Sequence, residues 1–231
     1  MRFLVLLVGM VALSMFVGPV LVLPADAGDA DACAKGSGDE KIAACTRSIN
    51  SGFWKGPNLA WAYTNRGIAY RAKGEPDRAI EDYDKAIWLN PKFADAYNGR
   101  GNAYDDRGDR DNAIADFDQA IRLNPKFADA YNNRGVAYCA KGQPDRAIAD
   151  YDQAIRLNPN FAMAFYNRGI AYYFQKDFDR AIADYDQAIQ LNANDVHAYK
   201  NRGLAKQAKG DSAGSDSDIA RAKQLSPSAG N

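Results

Sequence analysis

One interval of 34 residues governs most of this sequence. A glycine returns at that interval five times, and Asn-Arg precedes it in four of the five cases. The five glycines are Gly67, Gly101, Gly135, Gly169 and Gly203. A unit of this length cannot bury an apolar face by itself, so neighbouring units must stack to form a continuous core. The sequence therefore predicts a solenoid of stacked repeats.

Within each unit, the apolar residues follow helical spacing twice. In residues 128–161, Ala130 and Tyr138 share a face of a first helix, and Gly142-Gln143-Pro144-Asp145 breaks the pattern. A second apolar stripe then runs until Asn158-Pro159 stops it. Each helix has about 13 residues and is roughly 20 Å long. The predicted fold class is all-α.

The residue types at fixed positions of the unit resemble those of the tetratricopeptide repeat. That family places an aromatic residue fourth, Gly or Ala eighth, Ala twentieth, an aromatic residue twenty-fourth and Pro thirty-second. Here the fourth positions are Tyr63, Tyr97, Tyr131, Phe165 and Tyr199, and the twenty-fourth are Tyr83, Phe117, Tyr151 and Tyr185. The resemblance implies a right-handed superhelical solenoid of antiparallel helix pairs, with about five repeats and an N-terminal cap.

The recurrence also sets the predicted boundaries. A degenerate helix pair at 28–59 is expected to form the N-terminal cap. The fifth unit has lost several of the expected residues and is interpreted as a C-terminal cap with a water-facing outer side. The five repeats are 60–93, 94–127, 128–161, 162–195 and the degenerate 196–229.

Residues 1–27 have the layout of a secretory signal. Arg2 precedes an apolar stretch at 3–23, and Ala25-Asp26-Ala27 offers a small-x-small cleavage site. The chain is therefore expected to be an exported bacterial protein, either periplasmic or secreted. Because an apolar stretch of about 20 residues can also span a bilayer, an uncleaved membrane anchor remains the alternative.

Three cysteines offer different chemistry. In an exported protein, Cys33 and Cys45 are candidates for a disulfide that pins the two cap helices, and two buried free thiols are the alternative. Cys139 is the candidate nucleophile of a thiol-dependent enzyme, although packing of a small residue explains it more simply.

Composition argues against several function classes. Lys and Arg number 29 and balance 29 acidic residues, so the chain lacks the cationic excess that nucleic-acid binding requires. A single His, at 197, disfavours a His-rich metal site or a His-based triad. The recurring Asp-x-Asp pairs do not share a helix face, so no metal and no cofactor are predicted.

Arg occupies the seventh place and Asp the twenty-third place of all five units. We interpret them as ion pairs that bridge the two helices of a unit, or successive units, because a guanidinium suits bidentate pairing with a carboxylate. A row of solvated charges is the alternative. The pairs are Arg66 and Asp82, Arg100 and Asp116, Arg134 and Asp150, Arg168 and Asp184, and Arg202 and Asp218.

The family resemblance also implies a binding groove. In that family, the concave face comes mainly from positions two, five, nine, twelve and thirteen of each first helix. The central repeats place acids and amides there, and the fourth repeat places apolar and aromatic residues. The candidate groove residues are Asp95, Asn98, Asn102, Asp105, Asp106, Asp129, Asn132, Met163, Tyr166, Ile170, Tyr173 and Phe174.

Such a groove suits an extended protein or peptide segment, since amides can bind its backbone, acids its Lys or Arg, and aromatic rings an apolar anchor. The expected function is a non-catalytic binding scaffold. The alternative is an assembly factor that forms a homo-oligomer through the aromatic patch of Tyr166, Tyr173 and Phe174. A membrane is expected as a partner only if residues 1–27 stay uncleaved.

Overall fold

A computed structural model of the chain describes residues 26–226. Within that range there are twelve α-helices and no strand. The first 25 residues of the predicted signal or anchor lie outside the described residues, and so do residues 227–229 of the predicted fifth repeat.

The helices follow one another with short connections. In chain order they are α1 (Asp26–Lys35), α2 (Gly38–Asn50), α3 (Ala60–Ala72), α4 (Pro76–Leu89), α5 (Ala94–Asp106), α6 (Arg110–Leu123), α7 (Ala128–Ala140), α8 (Pro144–Leu157), α9 (Ala162–Phe174), α10 (Phe178–Leu191), α11 (Val196–Ala208) and α12 (Ser212–Leu225). A short 3-10 helix, Gly56–Leu59, leads into α3.

Consecutive helices form pairs, from α1–α2 to α11–α12. The two helices of a pair are joined by two or three residues, which makes them antiparallel. The second helix of each pair packs against the first helix of the next pair, and first helices of successive repeats also touch, as α5 and α7 do. The prediction of an all-α solenoid of repeats is therefore confirmed.

The turn inside each repeat depends on one left-handed residue. Gly142 has a φ of 71° before Pro144 starts α8, and glycine adopts this conformation without strain. In the fourth repeat the equivalent residue is Lys176, with a φ of 62°. It is the one residue other than glycine with positive φ within residues 26–226. The same turn therefore forms there at a conformational cost.

The core is built from small residues beside a large ring. A Cβ added to Gly135 would lie 2.6 Å from Cε1 of Tyr151, and Ala147 of the same repeat is fully buried. The side chain of Tyr151 is also almost fully buried. Glycine at the eighth place is thus required because the ring at the twenty-fourth place lies against the helix backbone.

The N-terminal cap is cross-linked. Cys33 of α1 and Cys45 of α2 form a disulfide with 4.6 Å between their Cα atoms. Both side chains are buried, and Ala62 of α3 packs in the same cluster. The cross-link therefore lies where the cap meets the first repeat.

Candidate functional site

Each predicted Arg–Asp pair is in bidentate contact. In every repeat, Nε and Nη2 of the arginine donate to the two carboxylate oxygens at 2.5–2.8 Å. The aspartates are buried, and the arginine side chains are at most one-fifth exposed. These bonds fasten the first helix of each repeat to the second.

Four of these arginines also reach back to the preceding repeat. Their Nη1 atoms donate to an aspartate at the twenty-fifth place of that repeat, at 2.5–2.6 Å. The contacts are Arg100 to Asp84, Arg134 to Asp118, Arg168 to Asp152 and Arg202 to Asp186. One guanidinium therefore joins three helices.

A second row of contacts joins successive repeats through the aspartate at the eighteenth place. Arg107 donates to Asp77 at 2.9 Å, and Gln175 donates to Asp145 at 2.7 Å. The corresponding contacts elsewhere are Lys141 with Asp111 and Lys209 with Asp179. Polar side chains thus complete the stacking that the apolar core begins.

The N-terminal cap makes the same two kinds of contact with the first repeat that a preceding repeat makes elsewhere. Lys73 donates to Asp39 at 2.5 Å, and Arg66 donates through Nη1 to the Thr46 hydroxyl at 3.0 Å. Asp39 and Thr46 are seven residues apart on α2, like the eighteenth and twenty-fifth places of a repeat. The cap therefore substitutes for a preceding repeat.

Amide side chains join the first helices of successive repeats at the predicted groove. An asparagine at the sixth place of one repeat donates to the residue at the fifth place of the repeat before it. The contacts are Asn133 to Asn98, Asn167 to Asn132 and Asn201 to the Tyr166 hydroxyl, at 3.1, 2.9 and 3.0 Å. Asn132 was expected to offer its side-chain amide to the backbone of a bound peptide, but it is buried. Asn98 and Asn132 hold the repeats in register.

The predicted acids fall into two groups. Asp95 and Asp129 are exposed, and neither makes an ion pair within the described part of the chain. Asp106 is bonded to Arg71 of the first repeat at 2.6 Å. Asp105 is half-buried, and burial raises the pKa of its carboxyl, which lies 4.0 Å from Arg110. Two of the four carboxylates are therefore free to meet a partner's charge.

Two of the predicted aromatic residues of the fourth repeat, Tyr173 and Phe174, line a pocket of about 300 Å³. Phe174 is 75% exposed at this pocket, and its ring lies 6.2 Å from that of Tyr173. Met163, about three turns before Phe174 on α9, is also exposed, whereas Asn102 on α5 is half-buried. The pocket residues are Ile170, Tyr173, Phe174, Tyr185, Asn201 and Leu204.

Three residues of this pocket were missing from the predicted site. Leu204 of α11 occupies the same ninth place as Ile170, so its position in the repeat carried the signal. Tyr185 fits the core pattern, although it lines the pocket, and its ring lies 6.0 Å from that of Tyr166. Asn201 was assigned no role. The pocket is thus shared between two repeats.

Cys139 does not have the surroundings of a nucleophile. Burial raises the pKa of its thiol, and the Tyr151 hydroxyl only partly offsets that effect. A protonated thiol is a poor nucleophile. This geometry favours packing over the thiol-dependent chemistry considered for this residue.

Residues 26–226 offer neither a cluster of metal ligands nor a helix that could span a membrane. No cluster of three or more His, Cys, Asp or Glu side chains there has an arrangement that could hold a metal. None of the described helices combines the length and apolarity needed to cross a bilayer.

Comparisons with known proteins agree with the architecture. The tetratricopeptide repeat model matches residues 60–93, 128–161 and 162–195, and a second model, described as TPR repeat, matches 101–142. Together these ranges span more than half of the chain. No curated protein sequence matches the chain significantly.

Solved structures provide close matches in shape. A crystal structure of MamA is 28% identical, with a TM-score of 0.63, over 70% of this chain and 94% of that one. YrrB, described as a TPR protein with an unusual peptide-binding site, is 24% identical, with a TM-score of 0.60, over 81% and 94%. MamA from Desulfovibrio magneticus RS-1 is 20% identical, with a TM-score of 0.65, over 74% and 97%. The last two likenesses show the fold alone.

Proposed function

Because the chain belongs to the tetratricopeptide repeat family, we propose that it is a non-catalytic scaffold that binds a protein or peptide segment on its concave face. The family and the fold support a protein-interaction role. The observation that carries the proposal is the apolar pocket between the fourth and fifth repeats, where Phe174 lies 75% exposed beside Leu204.

The pocket has the properties of an anchor site. Ile170, Tyr173 and Leu204 give it apolar walls, and Asn201 adds a carboxamide. Its volume of about 300 Å³ is at the lower end of ligand sites, so it fits one large apolar side chain of a partner. Aromatic side chains that enter such pockets commonly supply much of the binding energy at protein interfaces.

We place this function in an exported compartment. The support is the signal-like sequence at 1–27 and the disulfide between Cys33 and Cys45, since disulfides persist mainly in oxidising compartments. Mass spectrometry of the purified protein tests the placement. An N-terminus at Gly28 supports export with cleavage, and an intact N-terminus in the membrane fraction supports the anchored alternative.

A crosslinking pull-down with a matched pair of variants tests the binding role. Phe174→Ala removes the exposed ring at the pocket, and Trp88→Ala removes a ring on α4 that is 77% exposed. Neither side chain is buried, so both variants should fold. We expect Phe174→Ala to lose the partners that the unmodified chain and Trp88→Ala retain. Retention of every partner by Phe174→Ala would reject the pocket as the binding site.

Self-association is the second candidate, because Met163 and Phe174 leave an apolar surface in the fourth repeat that a second copy could cover. Light scattering of the full-length chain separates the two functions. A dimer that Phe174→Ala converts to a monomer supports assembly. A monomer at all working concentrations supports binding of a different protein.

A further inference from the structure

We infer that the segment bound in the groove carries an apolar anchor and a Lys or Arg about five to seven residues away from it. The anchor occupies the pocket beside Phe174, and the cation lies against the acidic side chains of α5 and α7. This inference rests on the proposed binding role and specifies the chemistry of the partner.

The charges at the groove positions of the second and third repeats indicate that the bound segment carries a positive charge. At the concave positions, α5 and α7 carry four carboxylates and no Lys or Arg. Arg71 of the first repeat neutralises Asp106, which leaves Asp95 and Asp129 exposed and without ion pairs among the described residues. Asp105 is half-buried, its Oδ1 atom is buried, and it already faces Arg110 at 4.0 Å, so Asp95 and Asp129 are the acids left for a cation. An acidic or anionic segment would be repelled here, and a cation would be attracted.

These acids are not explained by helix stability alone. Asp95 and Asp129 lie in the first turns of α5 and α7, where an acid favours the helix dipole. However, α9 and α11 form with Met163 and His197 at the equivalent place. The helix start therefore does not require an acid, and acids occur at the groove positions only in the second and third repeats.

The spacing follows from helix geometry. First helices of successive repeats touch, so each step between them is about 10 Å. Asp129 lies on α7, one step from α9, and about nine residues closer to the N-terminal end of its helix than the pocket is. Its distance from the pocket is therefore roughly 17 Å, which an extended chain spans in about five residues. Asp95 lies at the same place on α5, two steps from α9, so its distance from the pocket is roughly 24 Å, or about seven residues of extended chain.

Fluorescence anisotropy with defined peptides tests the inference on the full-length chain. The probe is a labelled twelve-residue peptide of Ser and Thr with Phe at its third position and Lys at its ninth. Three related peptides replace that Lys with Glu, replace that Phe with Ala, or move the Lys to the fifth position. The protein variants are Asp129→Asn, Phe174→Ala and Glu81→Gln, the last being an exposed acid on α4 with no ion pair among the described residues.

We expect the Phe/Lys peptide to bind at least about tenfold more tightly than the Glu peptide, and more tightly than the peptide with the moved Lys. Asp129→Asn should weaken its binding by about two- to fivefold, and Glu81→Gln should leave it unchanged. Phe174→Ala should weaken every peptide that contains Phe.

The outcomes separate this inference from the binding role. Equal binding of the Lys and Glu peptides, with loss on Phe174→Ala, would overturn the charge requirement and leave the pocket as an anchor site. Peptide binding that Phe174→Ala does not affect would overturn both. Absence of binding by the Phe/Lys peptide at millimolar concentration would overturn the inference, and the pull-down would then decide the binding role.

Discussion

Arg134 donates from Nε and Nη2 to both carboxylate oxygens of Asp150, at 2.8 and 2.6 Å. The pair joins α7 to α8, and the third contact of the same guanidinium, to Asp118, joins α7 to the preceding repeat. Because this arrangement recurs along the solenoid, the recurring Arg and Asp residues hold together the two helices of each repeat and also successive repeats.

A double-mutant cycle on Arg134→Gln and Asp150→Asn should show strong coupling. Each single change leaves a buried partner without its counterion, so each should lower the free energy of unfolding by about 2–4 kcal/mol. The double variant should be less destabilised than the sum, with a coupling of at least about 1 kcal/mol. Urea unfolding measures all four proteins, and a coupling near zero would show that the pair contributes no direct interaction.

The contact between repeats should be weaker than the contact within a repeat. Asp118 is about half exposed, so Asp118→Asn should lower the free energy of unfolding by roughly 0.5–1 kcal/mol. Asp216→Asn, which removes an exposed acid on α12, is the control and should change it little. If urea unfolding shows equal effects for both variants, the inter-repeat bond does not stabilise the stack.

Glycine at the eighth place should not tolerate a methyl group. Gly135→Ala places a Cβ 2.6 Å from the Tyr151 ring, and we expect a loss of about 1–3 kcal/mol in spite of the higher helix propensity of Ala. Gly203→Ala is a matched control, because its nearest neighbour is the flexible Ile219 side chain at 3.2 Å. The melting temperature should fall clearly for the first variant and less for the second. The reverse order would contradict the packing described for the ring.

The cap should depend on its disulfide. Replacing Cys33 and Cys45 with Ala removes a cross-link over a sequence separation of 12, which should cost about 3 kcal/mol. The loss should concentrate in α1, α2 and α3, because Ala62 packs against the cross-link. Hydrogen exchange of the variant and of the unmodified chain measures it. Unchanged exchange in α1 and α2 would show that the cap is stable without the bond.

The repeat made the helices predictable, because Gly, Ala and the large rings recur at fixed places that the packing requires. The pairing of Arg134 with Asp150 was also predictable, since both residues hold their places in all five units. The aspartate at the twenty-fifth place, which is Asp118 in the second repeat, also recurs, but the sequence alone did not explain it. Its contact requires the relative placement of two repeats, which spacing within one repeat does not specify.

The site was less predictable for a related reason. Position in the repeat located Ile170, Tyr173 and Phe174, but the pocket is completed by Leu204 from the next repeat. Asn132 occupies a groove position, yet its carboxamide is used by Asn167. Whether a polar side chain at the groove is free depends on its neighbour in the following repeat.

Site-specific photocrosslinking tests the central claim most directly, namely that the concave pocket is the binding surface. A photoreactive phenylalanine analogue replaces Phe174 in one full-length protein and Trp88 in another, because both positions carry exposed aromatic rings. The account predicts that irradiation in the native cell yields a discrete adduct with a partner from position 174 and none from position 88. The same adduct from position 88, with none from position 174, would contradict it.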